Sequence, residues 1–250
     1  MPPTNDTGNA RRSEERSLAA RIKIYYDLHV PAGDAAAGPR PLLVALHGYG
    51  DNKEWMLRVA RLFAPEDFAV ASLQGFHQHI KRPKDKTVAL GFGFGWLTSY
   101  RPEESVALHH GALLDLINAL TAEGAADPRR VFLLGFSQSC ALNYRFAFTH
   151  AGLLRGVVGL CGGIPGDWHE SGLYRETEAG VFHVYGERDE FYPPERVRDY
   201  AARLSTRARD VTVRAYDAAH EISPAMIPDV RAWLAERAAS PDVRREEVAR

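Results

Sequence analysis

The stretch Arg130-Val131-Phe132-Leu133-Leu134-Gly135-Phe136-Ser137-Gln138-Ser139 decides how the rest of the chain is read. Val131 to Leu134 is an unbroken apolar run between an arginine pair and a glycine, the composition of a short strand buried on both faces of a parallel sheet. Cys140 to Phe148 has helix length and sets Leu142 and Phe146 on one face. Ser137 therefore stands at a strand-to-helix corner. The unpaired N–H groups of a helix N-terminus there favour developing negative charge. A serine presented in this way is a candidate nucleophile.

Working outward, the same grammar repeats. Arg21–Val30 reads as an edge strand with partial alternation, and the Gly/Ala/Pro segment 31–41 as a loop or hairpin turn. Leu42–Leu46 is a buried strand running straight into His47-Gly48-Tyr49-Gly50-Asp51. A helix carrying Trp55, Met56, Val59, Leu62 and Phe63 follows, capped by Asp51 or Asn52. Phe68–Leu73 is the next strand, and 74–101 shows little regular pattern; loops of that length are usually functional. Pro102, Glu103 and Glu104 open a helix whose core stripe is Val106, Leu113, Leu116, Ile117 and Leu120. Further strands fall at Gly156–Cys161, Val181–Tyr185 and Val211–Tyr216, with helices near 194–205 and 224–238. This alternation predicts one α/β domain over 20–238, a mostly parallel central sheet with helices on both faces, with sites at the carboxyl ends of its strands. Residues 1–19 read as a disordered N-terminal segment and 239–250 as a charged C-terminal tail.

Composition narrows the function. With 250 residues, 45% hydrophobic and 25% charged, the chain can bury a substantial core. A formal net charge of −1 offers no field for a polyanion, which argues against a nucleic-acid partner. No apolar stretch approaches a membrane span and the start has no apolar signal region, so a cytoplasmic protein is expected. The two cysteines, Cys140 and Cys161, read as reduced, buried packing residues.

Ser137 needs a base, and that base needs an acid to hold its tautomer. Asp189, in Tyr185-Gly186-Glu187-Arg188-Asp189, lies just past one strand; His220, in Ala218-Ala219-His220-Glu221, lies just past the last. Serine, aspartate and histidine then follow each other in chain order at successive strand ends. Glu187 and Asp217 are the reserve acids. An oxyanion formed at Ser137 would need two backbone donors: Gln138 N–H is one, and the glycine turn offers Tyr49 N–H as the other. His47 reads as a brace for that turn.

These marks resemble an α/β-hydrolase, and most of all the phospholipase/carboxylesterase group that includes acyl-protein thioesterases. The resemblance spans roughly 20–238 and rests on Leu46-His47-Gly48-Tyr49-Gly50-Asp51, Gly135-Phe136-Ser137-Gln138-Ser139, Asp189 after Tyr185-Gly186, and Ala219-His220-Glu221-Ile222-Ser223. It implies Ser137 as nucleophile, Asp189 and His220 as its partners, and Tyr49 and Gln138 as oxyanion donors. One residue departs from the pattern: the family has a second glycine two positions beyond the nucleophile, where this chain has Ser139. A side chain there is expected to crowd the elbow against a neighbouring strand.

The expected activity is therefore cleavage of carboxylic esters or thioesters through an acyl-enzyme, with a small-molecule substrate and no cofactor. A lysophospholipase, a peptidase or a catalytically silent binding protein on the same scaffold are the alternatives. Gly91-Phe92-Gly93-Phe94-Gly95-Trp96 lacks nucleotide-loop spacing. It reads instead as a flap whose Phe92, Phe94 and Trp96 line an apolar pocket, with His77 and His79 in reach of substrate. No metal site is expected, since neither His77/His79 nor the adjacent His109 and His110 comes with a ligand framework.

Overall fold

A computed structural model describes residues 15–32, 38–81 and 91–240. Among these, seven strands form the main sheet in the order β1-β3-β2-β6-β7-β8-β9, and β4 and β5 form a separate antiparallel pair. The strands are β1 (Tyr26–His29), β2 (Arg40–Leu46), β3 (Ala69–Leu73), β4 (His77–Lys81), β5 (Gly91–Gly95), β6 (Ala126–Phe136), β7 (Gly156–Leu160), β8 (Gly180–Gly186) and β9 (Val211–Tyr216). The helices are α1 (Lys53–Phe63), α2 (Pro102–Ala122), α3 (Gln138–Thr149), α4 (Pro194–Val197), α5 (Tyr200–Leu204) and α6 (Met226–Ala239). Only β1 runs antiparallel in the main sheet; β2, β3 and β6 to β9 pair in parallel.

Burial on both faces explains the apolar runs. Leu42, Val44 and Leu46 of β2 enter one core with Leu113 and Leu116 of α2 and Phe146 of α3. Leu43 and Ala45 enter the other, with Met56 and Phe63 of α1 and Val230 and Trp233 of α6. In β6, Val131 and Leu133 face the first core while Phe132 and Leu134 face the second. Each such side chain contributes roughly 1.5–3 kcal/mol on leaving water, so the central strands rather than the edges carry the stability.

Several boundaries differ from the sequence reading. The edge strand is confined to Tyr26–His29, and the helix expected over 194–205 is two short helices interrupted at Arg198 and Asp199. Segment 74–101 is not patternless, because β4 and β5 form a hairpin there, with His77 opposite Gly95 and Lys81 opposite Gly91. Helix α3 is buried almost all round, Tyr144 and Phe148 included, rather than along one face. Most of the N-terminal segment (1–14) and of the charged tail (241–250) lies outside the described residues. Glu15, however, pairs with Arg101 and accepts from Tyr100 Oη at 2.9 Å. No described helix is long and apolar enough to cross a membrane.

Asn52, not Asp51, caps α1: its backbone is extended and its side chain accepts from Trp55 N at 2.8 Å. Loss of such a cap costs about 1 kcal/mol. Asn52→Ala should lower the urea unfolding midpoint accordingly without changing the slope of the transition; an unmoved midpoint would show that the cap contributes nothing.

Candidate active site

Parallel pairing brings the carboxyl ends of the central strands to one level, and the chemistry-bearing residues gather there. Ser137 follows β6 directly, with φ 55° and ψ −112°. For a non-glycine residue this conformation stores about 1–3 kcal/mol of strain, so the surroundings must impose it. They do so by pairing: Ser137 N–H donates to Leu160 O at 2.9 Å, and Cys140 N–H donates to Ser137 O at 3.2 Å. The hydroxyl is thereby lifted out of the sheet at the start of α3.

His220, on the loop after β9, receives it. Ser137 Oγ lies 2.9 Å from His220 Nε2, and His220 Nδ1 lies 2.9 Å from Asp189 Oδ2. Asp189 is 2% exposed, and its other oxygen, Oδ1, accepts from Phe191 N and Tyr192 N, both at 2.8 Å. An ionised carboxylate only accepts, so Nδ1 of His220 carries the proton and Nε2 is left as the acceptor for the serine hydroxyl. The reserve acids are elsewhere: Asp217 pairs with Arg188 at the surface, and the Glu187 side chain is exposed. The imidazole is enclosed by aromatic rings that sequence reading missed. Phe136 stacks at 5.2 Å, Tyr192 at 5.8 Å, and Phe191 meets it edge-on at 4.8 Å. Their only sequence signal is proximity to Ser137 and Asp189.

The glycine turn 47–50 lies beside the elbow. Its carbonyls are held in sequence: Leu46 O by Ser139 Oγ at 2.8 Å, His47 O by Trp96 Nε1 at 2.8 Å, and Gly48 O by His47 Nδ1 at 2.7 Å. Gly75 N–H donates to His47 Nε2 at 3.0 Å, which fixes the tautomer and makes His47 the brace that was expected. Burial pushes the His47 pKa down to about 4, so the brace stays neutral. Gln138 opens α3, where its N–H has no acceptor one turn earlier. Its side chain clamps the far end of β5, accepting from Trp96 N at 2.8 Å and donating to Leu97 O at 3.2 Å.

The flap aromatics are arranged differently from the expectation. Residues opposite each other in the hairpin share a face, so His77 and His79 lie over Gly95 and Gly93, while Phe92 and Phe94 lie with Ile80 and Gln78 on the other face. The two sets therefore do not line one pocket. A Cβ at Gly93 would approach Gly50 Cα to 3.0 Å, which is why glycine fills the strand where it meets the turn. His79 stacks on Tyr49 at 4.6 Å, and His77 Nε2 lies 2.9 Å from Ser105 Oγ of α2. Trp96 is fully buried and serves as packing and as a donor to the turn, not as pocket lining. A cavity of about 430 Å³ among the described residues borders the imidazole between α1, α6 and the His220 loop, with Trp55, Phe136, His220, Ile222 and Ile227 but neither Ser137 nor Asp189 in its wall. A larger one of about 750 Å³, beside Tyr100 and Ser105, touches none of Ser137, Asp189 and His220.

Among the described residues no group of acidic, histidine or cysteine side chains is placed to hold a metal ion. Both thiols are buried; desolvation holds Cys140 far above the usual thiol range and pushes Cys161 up to about 12, as suits packing residues.

Comparison with known proteins identifies the fold and the family. The backbone superposes on a Bacillus cereus carboxylesterase (TM-score 0.65, 16% identity, 86% of this chain and 94% of that one) and on a carboxylesterase from Mesorhizobium loti (0.65, 22%, 88% and 98%). The fold is that of the α/β-hydrolases. Residues 34–237 match the Phospholipase/Carboxylesterase family, and the chain belongs to it. It is also 27% identical, over 198 residues and 77% of its length, to "Putative esterase NocK" of Nocardia uniformis subsp. tsuyamanensis. The chain spans about half (52%) of that protein.

The buried imidazoles set an acid limit. Desolvation lowers His47 to about 4, His109 to about 3 and His183 to about 4 from an ordinary value of 6.5. An unfolded chain therefore takes up protons that the folded one refuses between about pH 6.5 and 4, and folding stability falls as pH drops through that window. Urea midpoints at about pH 5 should lie below those at about pH 7.5. Replacing His183 with Gln should flatten the dependence, and equal slopes in the two proteins would contradict the assignment.

Proposed function

We propose that the protein is a serine esterase that cleaves carboxylic esters or thioesters through an acyl-enzyme. The observation that carries this reading is the continuous chain from Ser137 Oγ through both nitrogens of His220 to the buried Asp189, with 2.9 Å at each contact of the imidazole. Ser137 Oγ attacks the carbonyl carbon as its proton passes to His220 Nε2. Asp189 keeps the imidazole oriented and offsets its transient positive charge. The oxyanion is received by Tyr49 and Gln138 N–H groups, and its collapse expels an alcohol or thiol that takes the proton back from His220. Water, activated by the same histidine, then attacks the acyl carbon and releases the acid and Ser137.

Three features support this reading beyond family membership. The turn that carries Tyr49 is fixed at successive carbonyls, as a preset oxyanion site requires. The strained backbone at Ser137 goes with a hydroxyl that makes no cap bond to α3 and lies 2.9 Å from His220 Nε2 instead. The cavity beside His220 is walled mainly by apolar side chains, which suits an uncharged group of a small-molecule substrate.

Hydrolysis of a short-chain chromogenic ester should fall by about 10⁴-fold or more in Ser137→Ala and by about 10⁴-fold in Asp189→Asn. A fluorophosphonate should add one adduct at Ser137 in the wild-type protein and none in Ser137→Ala. An intact wild-type mass after incubation would make the protein a silent scaffold and end the proposal.

A further inference from the structure

Ser139 stands where the family's pattern has a second glycine, and its side chain does not crowd the elbow. It is fully buried. Its Oγ accepts from Phe136 N at 3.0 Å and lies 2.8 Å from Leu46 O, with Phe136 O also at 3.0 Å. A serine hydroxyl has one proton, which Leu46 O and Phe136 O can take in turn; when Leu46 O takes it, the hydroxyl bridges the backbone before Ser137 to the last carbonyl of β2. Gly135 leaves room for it and for Asn143: a Cβ there would come to 2.8 Å from Asn143 Nδ2 and 3.0 Å from Ser139 Oγ. The slot is built on both sides.

Position gives the bridge its consequence. Leu46 is the residue before His47, and its carbonyl is the first of the three anchored carbonyls that orient the turn bearing Tyr49. Trp96 and His47 hold the second and third from the flap side and from within the turn. Only the first anchor comes from the elbow itself. We infer that Ser139 is a positioning residue that locks the Tyr49 turn to the nucleophile elbow, so that both backbone donors keep a fixed separation. This deepens the esterase reading and rests on it for its effect on rate. The structural tie itself does not depend on that reading.

Removing the hydroxyl leaves Leu46 O and Phe136 N without this partner inside the sheet, and the turn is freed at one end. Ser139→Ala keeps the helix propensity of α3, while Ser139→Gly restores the family's residue and tests whether the slot is only a matter of space. Ester kcat should fall about 10-fold in both variants, with KM within about 2-fold, because misplacing a transition-state donor affects the chemical step and not ground-state binding. Amide hydrogen exchange across residues 46–50 should quicken about 5-fold in both, with α6 unchanged. Wild-type kcat in Ser139→Gly, or unchanged exchange at 46–50 in either variant, would overturn the inference. If the wild-type protein neither hydrolyses esters nor reacts with a fluorophosphonate, the esterase reading has failed, and the exchange measurement alone decides whether Ser139 holds the turn.

Discussion

The parallel pairing of β2 with β6, with Leu46 opposite Gly135, is the constraint on which the site depends. It ends two buried strands at the same height, so the turn after one and the elbow after the other lie side by side. β8 and β9 pair in the same direction, with Gly186 opposite Tyr216, and deliver Asp189 and His220 to that edge. A one-residue slip would reverse which side chains enter each core. Leu42, Val44 and Leu46 on one face and Leu43 and Ala45 on the other make such a slip costly. The hydrophobic pattern that stabilises the sheet thus also sets the geometry of the chemistry.

The elbow, the glycine turn and the Asp189 loop were legible because each follows a largely apolar run that reads as a buried strand, while the His220 loop follows β9, which shows through alternation and is only partly buried. The hairpin was hidden. Gly91, Gly93 and Gly95 are poor strand formers in isolation, and the place of Gly93 and Gly95 in β5 follows from the approach of Gly50 and the Tyr49 ring, contacts that exist only in the folded chain. For the same reason the flap aromatics were grouped into one pocket. Strand pairing assigns histidines and phenylalanines to opposite faces, and without the pairing the loop carries no such distinction. The aromatic enclosure of His220 draws Phe136, Phe191 and Tyr192 from two distant segments, which no local pattern announces.

Asp189 is buried, yet two backbone N–H groups of its own turn satisfy one oxygen and leave the other for His220. A carboxylate held in this way stays out of competing ion pairs, whereas Asp217, nearer in sequence to His220, is occupied by Arg188. His47 works by the opposite rule. Its burial keeps it neutral, so that one nitrogen can accept from Gly75 while the other donates within the turn. His220 and His47 thus differ because their hydrogen-bond partners differ: a carboxylate for one, backbone groups within and beside the glycine turn for the other.

The strain at Ser137 explains why so many backbone groups around it are spoken for. A non-glycine residue at positive φ relaxes unless the structure on each side resists. Here β7 holds the serine N–H, α3 begins immediately after it, and Ser139 bonds back to the backbone of Phe136. Its Oγ also lies 2.8 Å from Leu46 O of β2, so the group that braces the strained corner also touches the strand leading into the Tyr49 turn. A glycine at 139 could accommodate the same corner but could not transmit its position. Replacing a small residue by one only slightly larger therefore exchanges conformational ease for a direct hydrogen-bonded link between the Ser137 corner and the strand that leads into the Tyr49 turn.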